Sequence, residues 1–171
     1  LFSSLDPSKG EAYGKRCLWK DYEAHELIID IDEETTDVRF VLSGLVRVIN
    51  RFSVGKEVIL GEMTPGGFFG ELSAFDGETR SAHVTALYKT SICVMPQNVF
   101  LELVRSSDEI NLKVIRVLTQ RIRTLNMRLA EQSFLQAKHR LYAELLRLSK
   151  PRAANPSQRS ISPPPTQKEL A

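Results

Sequence analysis

An α+β fold is predicted, with an all-β roll, barrel or sandwich first and helices after it. Three observations carry this. Short runs rich in β-branched residues, such as HELIIDI, VRFVLSGLVRVI, KEVILGEM and TSICVM, recur between Leu18 and Met95 at spacings of about ten residues. From Ile110 to Arg128 there is neither Gly nor Pro. Along that stretch Ile115, Leu118, Ile122, Leu125 and Leu129 are spaced 3, 4, 3, 4.

The β region is punctuated by turn residues. Ser43-Gly44 and Val54-Gly55-Lys56 are expected turns. Between them Val46, Val48 and Phe52 alternate with Arg47 and Arg51, which places the two arginines outward. At about Pro96 the pattern turns helical. The 3, 4, 3, 4 stripe is the seam of a coiled coil, and its charged flanks fit a helix that meets a partner along one narrow strip. A lone helix packed on one domain carries the same stripe. A second helix is expected from about Gln136 to Ser149, with Leu141, Leu145 and Leu148 on one face. The run PRAANPSQRSISPPP then reads as a linker or extended loop. At the end Thr166 and Glu169 have the spacing of a capping box, so TQKELA reads as a helix starting in a truncated domain.

Composition sets the class. Hydrophobic residues are 42% and charged residues 26% of 171, an ordinary soluble profile. No apolar run approaches the roughly 18 residues that a membrane span needs. The N-terminus lacks a basic start followed by an apolar stretch, so no secretory signal is expected. It reads as a chain that begins inside a domain. Net charge is only +2, so the chain as a whole would not hold nucleic acid by charge alone. The charge is uneven, however. Between Arg116 and Arg152 basic residues dominate, and only Glu131 and Glu144 are acidic. Such a segment is either a solvated helix face or one lying close to phosphates. Cys17 and Cys93 are far apart with no CxxC, which fits reduced thiols buried as small hydrophobes.

One stretch offers chemistry. Gly66, Gly67 and Gly70 permit tight turns and close approach to the main chain. Glu71 is an acceptor-only carboxylate suited to a sugar hydroxyl. Arg80 brings a fixed fork of donors suited to a phosphate, and Ser81 adds a hydroxyl and a backbone donor. A carboxylate for ribose and an Arg-Ser pair for phosphate describe a nucleotide site.

The sequence FGELSAFDGETRSA, Phe69 to Ala82, resembles the phosphate-binding cassette of cyclic-nucleotide-binding domains. The layout around it is similar to that of the CRP/FNR (catabolite activator) regulators. The resemblance implies a double-stranded, jelly-roll-like β-roll over residues 1–108. It further implies a dimerisation helix and hinge over 109–135, and the start of a winged helix-turn-helix over 136–171. It implies that Gly70, Glu71 and Leu72 meet the ribose side of a cyclic nucleotide, with Glu71 on the 2′-hydroxyl. Arg80, Ser81 and Ala82 would hold the cyclic phosphate, helped by N–H groups of a short cassette helix. Leu60, Gly61 and Met63 would line the ribose and base pocket. Arg121 falls where related regulators pair an Arg with the cassette Glu. The ligand is then an allosteric effector, cAMP ahead of cGMP, with no metal and no catalysis. The implied partners are a second copy of the chain, operator DNA and RNA polymerase in the cytoplasm, with no membrane.

One departure bears on the base. cAMP-using activators often place a Thr-Ser pair on the long helix, and here Leu125-Asn126 stands there, with Thr124 one place earlier. Asn126 is either a reader of adenine through paired hydrogen bonds or a solvated helix residue. Other readings compete. A cupin-type metal enzyme needs clustered ligands, whereas His25, His83 and His139 are scattered. An iron–sulfur sensor needs about four cysteines. A haem sensor, a regulatory module of a kinase or channel, and a degenerate regulator that answers another signal share the fold.

Overall fold

β-branched and aromatic side chains fit a pleated, half-buried surface, and the strands form where these residues concentrate. The computed structural model describes residues 7–51, 57–152 and 155–165. It divides into two units, residues 1–115 and 116–171.

In the first unit the order is α1 (Pro7–Gly14), β1 (Leu18–Tyr22), β2 (Leu27–Ile29), β3 (Val38–Ser43), β4 (Val46–Arg51) and β5 (Glu57–Met63). There follow β6 (Phe68–Phe69), α2 (Glu71–Asp76), β7 (His83–Ala86), β8 (Thr90–Met95), α3 (Gln97–Arg105) and the first turns of α4 (Asp108–Phe134). Two four-stranded sheets result, ordered β1-β8-β3-β6 and β2-β7-β4-β5. Every pairing is antiparallel. This is the expected β-roll. The turn at Ser43-Gly44 joins β3 to β4, and Gly44 takes φ 87°, where a side chain would meet Thr90.

Two apolar groups hold the roll. Ile29, Val41, Val46, Phe69, Val84 and Ile92 belong to one buried cluster drawn from both sheets. On β3 and β6 the neighbouring positions are buried as well. Phe40 and Phe68 face each other in register and pack on Phe100 of α3, with ring centroids 6.4 and 6.3 Å away. Phe75 of α2 meets Phe100 edge-on at 5.4 Å. Thus α3 covers the second face of the β3/β6 edge, and burial on both faces explains the lack of alternation along VRFV.

Arg47 corrects the outward expectation. It is 4% exposed and pairs at 2.8 Å with Glu62, its direct cross-strand neighbour on β5. A carboxylate opposite it lets the guanidinium stay buried. Arg51 is exposed as expected.

Cys17 and Cys93 are both buried, and Cys17 Sγ donates to the Tyr13 carbonyl at 3.2 Å. Burial pushes the Cys93 thiol up to about 12 and raises Cys17 as well. The thiolate is the nucleophile, so both thiols should resist alkylation at pH 8 in the native chain. Iodoacetamide labelling followed by mass spectrometry should find both protected until denaturant is added. Rapid native labelling of Cys93 would contradict this burial.

The second unit holds the rest of α4, α5 (Ala137–Leu148) and an antiparallel hairpin of β9 (Lys150–Arg152) and β10 (Asn155–Ser160). The hairpin corrects the linker reading of this Pro- and Ser-rich segment. Arg159 ties it to the end of α5, donating to Ser149 Oγ at 2.6 Å and to the Ser149 carbonyl at 2.7 Å. Pro151 is tolerated because each strand of a two-stranded ribbon has a free edge. Glu131 and Glu144, the two acids of the basic stretch, are both engaged. Arg147 of α5 pairs with Glu131 of α4 and with Glu144, and Arg128 lies 3.9 Å from Glu144.

The stripe on α4 is open in this single chain. Ile115, Ile122, Leu125 and Leu129 are 50–65% exposed, and Leu118 is partly buried. No helix among the described residues is long and apolar enough to cross a membrane. The expected turn at Val54-Gly55-Lys56, the inward place of Phe52 and the helix start at Thr166–Ala171 lie outside the described residues.

Candidate functional site

The cassette is the crossover between the two sheets. Gly70 follows β6, an edge strand of one sheet, and Ala82 precedes β7 of the other. Gly70 adopts φ 82° to turn the chain into α2. A Cβ there would lie 2.6 Å from Arg80 Nη1 and 2.9 Å from the Asp37 carbonyl. Glycine is therefore required both by conformation and by space.

Glu71 opens α2 and is 3% exposed. A carboxylate in the first turn of a helix sits at the favourable end of the peptide dipoles. Arg80, nine residues on, is also 3% exposed. Its guanidinium is held on several sides. Nε and Nη2 donate to Thr35 Oγ1 at 3.0 and 2.8 Å. Nη1 donates to the Gly70 carbonyl at 3.0 Å, and Nη2 to the Asp37 carbonyl at 2.9 Å. The Asp37 carboxylate lies 3.2 Å from Nη2. Burial lowers the pKa of Arg80, and the charge of Asp37 opposes that shift most strongly. The group remains a cation, since an arginine does not deprotonate in a protein.

The loop before β3 thus belongs to the site. Asp37 also accepts from Arg39 Nε at 2.7 Å, and Arg39 reaches Glu33 at 3.4 Å. Thr36 donates to Gln97 Oε1 at 3.2 Å, and Gln97 Nε2 donates to the Ala74 carbonyl of α2 at 2.9 Å. Ser73 Oγ donates to the Thr79 carbonyl at 3.2 Å, closing the cassette on itself. Thr35, Asp37 and Gln97 were not among the expected site residues. No local pattern marks them, because they lie tens of positions from the cassette in sequence.

The other expected residues distribute as follows. Leu72 and Ser81 are exposed, and Ala82 is buried. Leu60, Gly61 and Met63 lie on β5, an edge strand, and are partly buried. Arg121 and Asn126 lie on α4 in the second unit, the first partly buried and the second exposed. His83 sits on β7, with Nδ1 3.2 Å from Asp30 and 3.4 Å from the Ile31 amide, a structural setting. Among the described residues no group of three or more His, Cys, Asp or Glu could hold a metal ion.

Residues 19–107 match the model of the cyclic nucleotide-binding domain. The chain belongs to the cyclic nucleotide-binding domain family. Within this domain the match takes in both sheets, the whole cassette and α3. The "CRP-like cAMP-activated global transcriptional regulator" of Mycobacterium tuberculosis is 28% identical over 149 residues, which are 87% of this chain and 66% of that protein. The "cAMP-activated global transcriptional regulator CRP" of Haemophilus influenzae is 29% identical over 135 residues, 78% of this chain and 60% of that protein. The chain therefore spans about two thirds or less of these relatives. The catabolite activator protein of Thermus thermophilus superposes with a TM-score of 0.67 at 26% identity, covering 86% of this chain and 69% of that one. The kinship with the CRP/FNR regulators is borne out. The family is one of binding domains, and the relatives are regulators rather than enzymes.

Proposed function

We propose that this chain is the ligand-sensing part of a transcription regulator and that its cyclic nucleotide-binding domain takes cAMP in preference to cGMP. The observation that carries the reading is the cassette itself: Glu71 and Arg80, both buried, bracket α2 inside a family match of residues 19–107. Glu71 would accept from the ribose 2′-hydroxyl. Arg80, with Ser81 and N–H groups of α2, would donate to the cyclic phosphate, and Gly70, Leu72 and Ala82 shape that wall. Leu60, Gly61 and Met63 would line the ribose and base.

In this reading residues 1–108 form the sensor and 109–135 the dimer helix and hinge. Residues 136–171 begin a winged helix-turn-helix. Ile115, Leu118, Ile122, Leu125 and Leu129 would meet the same residues of a second copy. The two DNA-binding parts would then sit one helical turn of operator apart, about 34 Å. The nucleotide acts as a population shift and must bind the DNA-competent arrangement more tightly than the other. Such a protein works in the cytoplasm beside RNA polymerase. A second reading, a regulator that answers another signal, is favoured by Leu125-Asn126 standing where cAMP activators often carry Thr-Ser.

Calorimetric titration of cAMP and of cGMP into this chain tests the sensor. A saturable heat and a raised melting temperature with cAMP, weaker with cGMP, are expected. Absence of both with either nucleotide would sink the cAMP reading and favour the second one.

A further inference from the structure

An anion that docks on a cationic side chain meets every other charge around it, not that side chain alone. Around Arg80 those charges are unevenly signed. The strongest of them are the carboxylates of Asp37, Glu33 and Glu71 and the guanidinium of Arg39. Acid thus outweighs base among the strongest influences on Arg80 before a phosphate arrives. Asp37 is the pivot of the group. Its carboxylate touches Arg80 at 3.2 Å and Arg39 at 2.7 Å, and it is 19% exposed. Water screens it little at that burial.

The geometry of Arg80 does not depend on this carboxylate. The Thr35 hydroxyl, the Gly70 carbonyl and the Asp37 main-chain carbonyl already accept from Nε, Nη1 and Nη2. None of these three acceptors changes if the Asp37 side chain loses its charge. The carboxylate is thus separable from the positioning of the guanidinium. What it adds is negative charge beside the place a phosphate would occupy.

Resting on the cassette reading above, we infer that Asp37 is an affinity-lowering counter-charge: it neutralises part of Arg80 and keeps the site's hold on a phosphodiester anion below what the arginine alone would give. Thr35 has the opposite role and positions the guanidinium for the ligand. The two neighbours on one loop therefore set the affinity from opposite sides. A sensor benefits from such a restraint, because its ligand must leave as its concentration falls.

The test is calorimetry on the full chain with cAMP as the anionic probe and adenosine as the neutral one. Asp37→Asn keeps the main-chain carbonyl and a side-chain acceptor for Arg39, and it removes the charge. It should bind cAMP about tenfold more tightly than wild type and show no gain for adenosine. Asp37→Glu should return the wild-type value. Glu33→Gln, farther from Arg80 and more exposed, should give a smaller gain of the same sign and serves if Asp37→Asn is poorly folded. Thr35→Val should weaken cAMP binding. If wild type binds cAMP and neither Asp37→Asn nor Glu33→Gln binds it more tightly, the inference falls and the cassette reading stands. An equal gain for adenosine would also overturn it, since charge would not be the cause. If no variant and no wild type binds cAMP, the cassette reading and the inference fall together.

Discussion

Arg80→Ala should abolish nucleotide binding, weakening cAMP affinity by at least about a hundredfold. The cation and its remaining Nη1 donor would be lost from the proposed phosphate site, a charge-assisted hydrogen bond contributing roughly 1.5–3 kcal/mol. The same change removes a structural centre. The Gly70 and Asp37 carbonyls, the Thr35 hydroxyl and the Asp37 carboxylate all lose their common donor. A fall in unfolding free energy of about 3 kcal/mol is expected, since several acceptors inside the fold lose their donor at once, roughly 1–3 kcal/mol each. Arg80→Lys separates the two effects. It retains the charge and part of the stability, yet a point-like ammonium cannot reproduce the planar fork. Urea denaturation and cAMP titration of both variants give the two quantities independently. A folded Arg80→Ala chain that binds cAMP as wild type does would overturn the assignment of the phosphate site.

Ile122→Glu should convert the proposed dimer to monomers, raising its dissociation constant at least about a thousandfold. Ile122 is 58% exposed on α4, so the substitution costs the single chain little. Across a two-fold seam the same residue meets itself or its neighbours, and the change acts twice. Each partner loses burial of a large aliphatic group, about 1.5–3 kcal/mol, and each brings a carboxylate into an apolar strip. Sedimentation velocity over a range of concentrations reads the outcome. A wild-type chain that stays monomeric at high concentration, or an Ile122→Glu chain that remains dimeric, would remove the seam from the proposed function.

The features readable in the sequence were those encoded by near neighbours. Strands at Val38–Ser43 and Thr90–Met95, the second through Ile92 and Val94, announce themselves by β-branching, and Gly44 by the turn between two such runs. The cassette was visible because Gly70, Glu71, Arg80 and Ser81 fall within one short stretch that folds locally. What escaped was set by distant partners. The Arg47 alternation pointed to solvent, and a carboxylate on the adjacent strand makes its burial tolerable. Asp37 and Thr35 reach Arg80 from more than forty positions away. Cys17 and Cys93 gave no spacing signal, yet antiparallel pairing of β1 with β8 brings the two thiols together. The hairpin at 150–160 escaped for a different reason. Its Pro and Ser content is that of a linker, and what ties it down is strand pairing together with Arg159, which reaches Ser149 ten positions back.

The Arg47–Glu62 pair has a consequence for how the roll assembles. A buried ion pair contributes little net stability compared with an apolar pair of similar size. Its effect is greater on the alternatives. Sliding β5 by one residue along β4 would invert every β5 side chain and leave Arg47 facing Gly61 or Met63 instead of an acid. A charge stranded in the interior makes that misregistered sheet costly. The pair therefore acts as a key for strand alignment, and the strand it aligns is the one carrying Leu60, Gly61 and Met63. The shape of the proposed base wall is thus decided during folding by two charged residues that need never touch the ligand.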